Sequence, residues 1–195
     1  MKQELHFATP VYIFDIGNNN FNKYLETEIL KLQSEDKGMQ RTNIKGWHST
    51  DNIHTKKEFK PLIEDLYKAQ KIIYKQENYN LEPYLGNMWA NVNPPGSFNN
   101  KHMHPNSLWS GVYYVKTPEN CGHIKIEDPK SVGLAMIPNR NEPLPEYSLR
   151  EIGYKPISGR LIMFPSYLMH YVDLNKSNDI RISISFNFLQ KGMFV

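Results

Sequence analysis

The sequence predicts an α+β, mainly β fold, and three observations carry that prediction. Two amphipathic helical patterns fall within residues 1–84, short β-rich segments separated by Gly and Pro fill residues 85–195, and the last of these segments alternates between apolar and polar. Helices first and strands afterwards argue for a β-barrel or sandwich with the helices packed on one side. With 195 residues the chain is long enough to bury a sizeable core as a single domain. Residues 1–84 would then supply an N-terminal strand and supporting helices, and 85–195 the β-barrel core.

Val11-Tyr12-Ile13-Phe14 is a short β-rich run, stopped by Asp15 and by the turn cluster Gly17-Asn18-Asn19-Asn20. From Phe21 the pattern turns helical, with Phe21, Leu25, Ile29 and Leu32 on one stripe and Gly38 beyond its end. A polar segment, Arg41 to Asn52, follows. Thr55 and Glu58 have capping-box spacing and predict the start of a second helix, whose stripe is Phe59, Leu62, Ile63, Leu66 and Ile73. Strands are expected near Leu85–Val92, Leu108–Val115, His123–Glu127, Arg160–Phe164 and Ile180–Phe188. The Pro-rich stretch Pro138 to Pro156 is too long for a simple hairpin loop and, with Arg41–Asn52, is a candidate substrate-facing segment.

Composition excludes several classes. Hydrophobic residues make up 39% and aromatic residues 12%, which is globular rather than disordered. The formal net charge of +3 comes without any run of Lys or Arg, so no nucleic-acid partner is expected. The single Cys121 excludes an internal disulfide and a Cys-rich zinc module, and a free thiol fits a reducing cytoplasm. There is no apolar run of signal-peptide or membrane-spanning length, so neither secretion nor a membrane is expected. A homodimer is the ordinary default for such a chain.

Chemistry concentrates in a few positions. His102 and His104 are spaced i, i+2, which on an extended segment sends both imidazoles to one side, and Pro105 biases His104 toward extended backbone. Neutral imidazoles suit first-row metals such as iron or zinc. The plain alternative is two surface histidines in a polar loop. His170 follows an apolar strand and the turn Pro165-Ser166, where a histidine is commonly just a satisfied core residue; with the pair it makes three imidazoles that a closed barrel could bring together. Arg181 adds a planar guanidinium suited to bidentate capture of a carboxylate, and Ser183 lies on the same strand face. Its plain alternative is a surface ion pair with Asp173 or Asp179. Trp47, Trp89 and Trp109 could stack a planar substrate, or simply build the core.

Taken together these segments resemble the Fe(II)- and 2-oxoglutarate-dependent oxygenases of the double-stranded β-helix, in a branch found in bacteria and phages. The residues carrying the resemblance are Gly46-Trp47-His48-Ser49, His102-Met103-His104-Pro105, Ser110-Gly111-Val112-Tyr113-Tyr114-Val115, Phe164-Pro165-Ser166 with His170, and Arg181-Ile182-Ser183-Ile184-Ser185-Phe186-Asn187. They span nearly the whole chain and are densest from Trp89 to Asn187. The resemblance implies a jelly-roll or cupin-like barrel with the N-terminal helices packed on one sheet. It implies Fe(II) and 2-oxoglutarate as cofactors, with His102 and His170 as iron ligands and Arg181, assisted by Ser183, on the remote carboxylate of 2-oxoglutarate. Tyr113, or its neighbour Tyr114, would reach the same cosubstrate. The implied reaction consumes O2, releases succinate and CO2, and hydroxylates a peptide side chain or small metabolite.

Position 104 departs from the pattern, because most relatives carry Asp or Glu there. Three assignments follow: His104 is itself the third ligand, the metal has two protein ligands, or Asp128 supplies a carboxylate. The first is the one adopted. Two competing functions stand beside the oxygenase. One is a cupin-type metal enzyme that uses no 2-oxoglutarate, against which Arg181 and Ser183 argue. The other is a non-catalytic barrel that serves as a binding module.

Overall fold

The alternation at the end of the chain organises the whole molecule. In the computed structural model, which describes residues 1–130 and 139–192, this segment is the strand β11, Arg181–Leu189. It lies between β4 (Tyr84–Asn93) and β6 (Trp109–Lys116), antiparallel to both. β6 pairs with β9 (Arg160–Pro165), and β9 with β1 (Tyr12–Asp15). On the other side β4 pairs with β3 (Trp47–His48), giving a six-stranded sheet in the order β1-β9-β6-β11-β4-β3. A second, five-stranded sheet runs β2 (Asn43–Ile44), β5 (Phe98–His102), β10 (His170–Val172), β7 (Ile124–Glu127) and β8 (Glu151–Tyr154). Two facing sheets of antiparallel strands, with helices on one of them, are the expected jelly-roll barrel.

Period-two alternation assigns each residue of β11 to a side. Ile182, Ile184, Phe186 and Phe188 are fully buried toward the helices. There they meet Leu25 and Ile29 of α1 (Asn19–Glu35) and Leu62, Leu66 and Ile73 of α2 (Lys60–Gln76). Each such side chain contributes about 1.5–3 kcal/mol on burial, so this layer is the main apolar core. Gly111 makes room for it, because a Cβ there would lie 2.2 Å from the Phe186 ring. A smaller apolar cluster, including Val112, Ile124, Ile126, Ile162 and Phe164, joins the two sheets inside the barrel.

The helices form largely as their stripes predict, but one boundary differs. Asn18 caps α1 through its side-chain oxygen, which accepts from the Phe21 amide at 3.0 Å. α2 has no such cap. Thr55 instead donates its hydroxyl to the Asn52 carbonyl at 2.8 Å, and two short 3₁₀ turns, Ile53–Thr55 and Lys57–Phe59, precede a helix that opens at Lys60 with proline in its first turn. The capping-box spacing of Thr55 and Glu58 therefore does not mark the helix start; the fixed φ of Pro61 preorganises it.

Part of the expected long loop is ordered as sheet. Glu151–Tyr154 pairs with Ile124–Glu127 as β8, and Glu146–Ser148 is a 3₁₀ turn. Pro138, the start of that stretch, lies outside the described residues. β2, β3, β5 and β10 were also not anticipated as strands. They are two to five residues long, too short for a periodic signal.

Candidate active site

Between the sheets lies a cavity of about 280 Å³ whose walls come from both. The polar faces of three neighbouring strands make one wall: Asn87, Trp89 and Asn91 on β4, Ser110, Val112 and Tyr114 on β6, and Arg181, Ser183, Ser185 and Asn187 on β11. The opposite wall includes His102 and His170.

His102 ends β5 and His170 begins β10, and the antiparallel pairing sets them directly opposite one another. His104 joins them from the segment after β5, its amide held by the Ser166 carbonyl at 3.0 Å. One ligand atom from each of the three imidazoles lies within 4.8 Å of the others. The ring centroids are 4.3 Å (His102–His170), 5.0 Å (His102–His104) and 5.1 Å (His104–His170) apart. In two of the rings the tautomer follows from the backbone. His102 Nδ1 faces the Asn100 carbonyl at 2.7 Å, and His170 Nδ1 faces the Leu168 carbonyl at 2.8 Å. A carbonyl only accepts, so each Nδ1 carries the proton and each Nε2 presents a lone pair. Such backbone anchoring is the ordinary support of a metal-ligating histidine.

The electrostatics favour the same state. Burial, followed by the neighbouring histidines, pushes His170 down to about 3 and His104 down to about 4. Burial also lowers His102. All three are neutral near pH 7, as a metal ligand must be.

Arg181 is 2% exposed, and its Nη1 donates to the Cys121 carbonyl at 2.7 Å. Burial lowers its pKa, with Tyr114, Cys121 and Asp173 acting in the opposite direction. No carboxylate forms a salt bridge with it among the described residues; Asp179 pairs with Lys116 at 3.0 Å instead. A buried guanidinium without an anion is costly, so a cavity-bound carboxylate fits the donors that remain. Ser183 and Tyr114 flank it on the same wall, and burial raises the Tyr114 hydroxyl, keeping it a neutral donor.

Two candidate residues lie elsewhere. Tyr113 alternates to the helix side of β6, where it is fully buried and donates its hydroxyl to Asn22 Oδ1 at 2.5 Å. Its expected contact with a cosubstrate is therefore corrected, and Tyr114 is the tyrosine that reaches the cavity. Asp128 is exposed, accepts from the Lys130 amide and is not part of the imidazole cluster. Of the three tryptophans, Trp109 belongs to the core, Trp47 packs against it from a partly buried position, and Trp89 lines the cavity. His48 lies flat on Trp89, with ring centroids 5.4 Å apart at 10°. Arg41, Thr42 and Asp51, from the polar segment before α2, complete that side. Asn87, Asn91 and Ser110 were missed as cavity residues. The alternation of β4 and β6 names a polar face without saying that it encloses anything, whereas Asn187 shares a strand face with Arg181 and Ser183, which the sequence already pointed at a ligand.

Comparison with known proteins agrees with this geometry. Residues 87–187, more than half of the chain, match the family model described as "Putative 2OG-Fe(II) oxygenase". No curated protein matches the sequence. Among solved structures, a Pseudomonas putida prolyl-4-hydroxylase is similar at 15% identity over 94% of each chain, with a TM-score of 0.69. The non-heme α-ketoglutarate-dependent epimerase SnoN from nogalamycin biosynthesis is similar at 9% identity, over 93% of this chain and 78% of its own, with a TM-score of 0.71. HygX from Streptomyces hygroscopicus, solved with nickel, 2-oxoglutarate and hygromycin B, is similar at 11% identity over 94% and 84%, with a TM-score of 0.65. At these identities the structural likeness establishes a shared double-stranded β-helix fold.

Proposed function

The chain belongs to the 2-oxoglutarate–Fe(II) oxygenase family, and from that premise we propose that His102, His104 and His170 hold the iron while Arg181, Ser183 and Tyr114 hold 2-oxoglutarate. Family membership makes the protein an Fe(II)- and 2-oxoglutarate-dependent oxygenase that consumes O2 and acts on a substrate. The observation that carries the residue assignment is the buried guanidinium of Arg181, without a carboxylate partner among the described residues, in the same cavity as three converging imidazoles. A cupin that uses only a metal has no need of that guanidinium.

When bound, the iron and 2-oxoglutarate together supply the oxidising chemistry, with the diacid leaving as succinate and CO2. The protein's own residues do the rest. Arg181 would receive the remote carboxylate through charge-assisted hydrogen bonds, and Ser183 and Tyr114 would add neutral donors beside it. The carbonyls of Asn100 and Leu168 hold the His102 and His170 rings in the ligating tautomer. Val112, Ile124 and Phe164 line the same cavity with apolar surface and exclude water from the reacting atoms. Hydroxylation of a small molecule or peptide is the outcome assigned, as in the prolyl hydroxylases among the structural neighbours. Three neutral imidazoles would bring no negative charge to a bound metal, so an anionic cosubstrate would supply the counter-charge that a carboxylate ligand otherwise brings.

We also read residues 1–195 as one domain acting in the cytoplasm, which the free, buried Cys121 supports, and a homodimer as its default state. No described helix is long and apolar enough to cross a membrane. The test is anaerobic titration with Fe(II) and then 2-oxoglutarate, followed by succinate release once O2 is admitted. Saturable binding of both and iron-dependent succinate are expected. Wild-type protein that takes up iron but not 2-oxoglutarate would rule this reading out.

A further inference from the structure

Arg181 and Asn187 stand on the same face of β11, six residues and so about 20 Å apart along the strand. Arg181 carries the only formal charge of that strand face, and the side chains bonded to Asn187 are all neutral; the cavity's other charged groups, Arg41 and Asp51, pair with each other at 3.9 Å. Ser110 Oγ lies 2.8 Å from Ser166 Oγ and donates to Asn187 Oδ1 at 2.7 Å. Asn187 Nδ2 donates in turn to Asn87 Oδ1 at 2.8 Å. The chain adjoins the imidazoles, because the Ser166 carbonyl also holds the His104 amide.

Counting the hydrogen-bonding capacity of this cluster shows what is left for a ligand. Asn187 uses one N–H on Asn87, and Asn87 Oδ1 has accepted one bond. The second N–H of Asn187, both N–H groups of Asn87 and a lone pair on each amide oxygen have no partner among the described residues. Asn187 and Ser110 are 3% and 2% exposed, so their geometry is fixed, while Asn87 is half-buried at the open side. Unpaired neutral donors and acceptors side by side match a group that itself offers both. A carboxylate would meet the asparagine lone pairs, and an ammonium would meet the N–H groups. Trp89 and His48, stacked flat on one another, line the same cavity and favour a planar group over a puckered one.

We propose that Asn87, Asn187 and Ser110 form a substrate subsite that binds a carboxamide, either a primary amide of a small molecule or a peptide bond, next to the metal centre. This rests on the oxygenase reading above and deepens it by naming the substrate's chemical class. The subsite is separate from the Arg181 end, so cosubstrate and substrate are recognised by opposite chemistries: a charged fork for the diacid and a neutral amide pair for the substrate.

The test is equilibrium binding of four small probes to protein loaded with Fe(II) and 2-oxoglutarate in the absence of O2. The probes are nicotinamide, an acetyl-diglycine methylamide, nicotinate and methyl glucoside. At least one of the two amide probes is expected to bind about 10-fold tighter than both nicotinate and the glucoside, and which one distinguishes a small-molecule amide from a peptide. Asn87→Asp, at the half-buried rim where folding is least at risk, should remove most of that preference, and Asn187→Asp should do the same in protein that unfolds at the wild-type temperature. Equal or tighter binding of nicotinate or the glucoside would overturn the proposal. So would absence of amide binding, or amide binding indifferent to both substitutions. Titrating 2-oxoglutarate itself, and repeating the amide titration on protein loaded with Fe(II) alone, separates the two readings: protein that prefers amides but does not take up the diacid refutes the cosubstrate assignment alone.

Discussion

Ile182, Ile184, Phe186 and Phe188 leave β11 toward the helices and are fully buried, whereas Arg181, Ser183, Ser185 and Asn187 leave the same backbone toward the cavity. The apolar face meets a closed, well-filled layer, and its side chains have no unsatisfied group to offer. The polar face is nearly as dry but keeps a guanidinium and an amide short of partners among the described residues. One strand thus holds stability on one side and recognition on the other. The difference teaches that burial alone does not separate core from site; unmet hydrogen-bonding capacity does.

Substitutions on the two faces should therefore fail in different assays. The largest effect expected is on the helix side, where Phe186→Ala removes a fully buried ring and should cost about 3–5 kcal/mol in urea unfolding. A cost below about 1 kcal/mol would mean that this layer is not the core it resembles. On the cavity side, His170→Ala should lower iron affinity by more than about 100-fold, read by anaerobic metal titration. Arg181→Met should weaken 2-oxoglutarate by roughly 30- to 100-fold while leaving iron uptake intact. Joint loss of iron and 2-oxoglutarate in that variant would erase the division between the two ends of the cavity.

Acid should act through the cavity too. His170 and His104 titrate near 3 and 4 in the fold, below the ordinary 6.5, so the unfolded chain takes up protons first as pH falls. Their contribution to metal-free stability is complete above about pH 6.5 and is lost progressively toward pH 3. A pH series of thermal melts checks this; a flat profile across that window would show that the imidazoles are not buried as described. The smallest effect belongs to neither face. Lys125 pairs with Glu151 at 3.0 Å between β7 and β8, partly open to water, and Lys125→Ala should change stability by no more than about 1 kcal/mol.

Much of this was legible in the sequence, for reasons that differ by residue. The helix stripes and β11 could be read because long elements repeat their pattern, and the imidazole trio because histidine and spacing point to one chemistry. Tyr113 and Tyr114 could not be told apart, since both lie in a run buried on both faces and alternation needs a polar partner to set its phase. The paired amides of Asn87 and Asn187 were invisible because their contact joins residues a hundred positions apart. Thr55 misled because a hydroxyl spent locally on Asn52 looks, in sequence, like a helix cap.

The outer edge of β4 carries a last consequence. β3 covers only its Asn91 and Val92 end, yet the next groups are also taken: Ser49 exchanges bonds with Ala90 through its amide and its hydroxyl, and the Met88 amide donates to the Asp51 carbonyl. An irregular stretch thus occupies the groups with which a foreign strand would pair, without extending the sheet. At the opposite edge, β1 is only four residues long. A chain with so much β-branched and aromatic sequence would otherwise offer neighbours a template for growth, and these two short coverings leave the large sheet poorly suited to edge-to-edge aggregation.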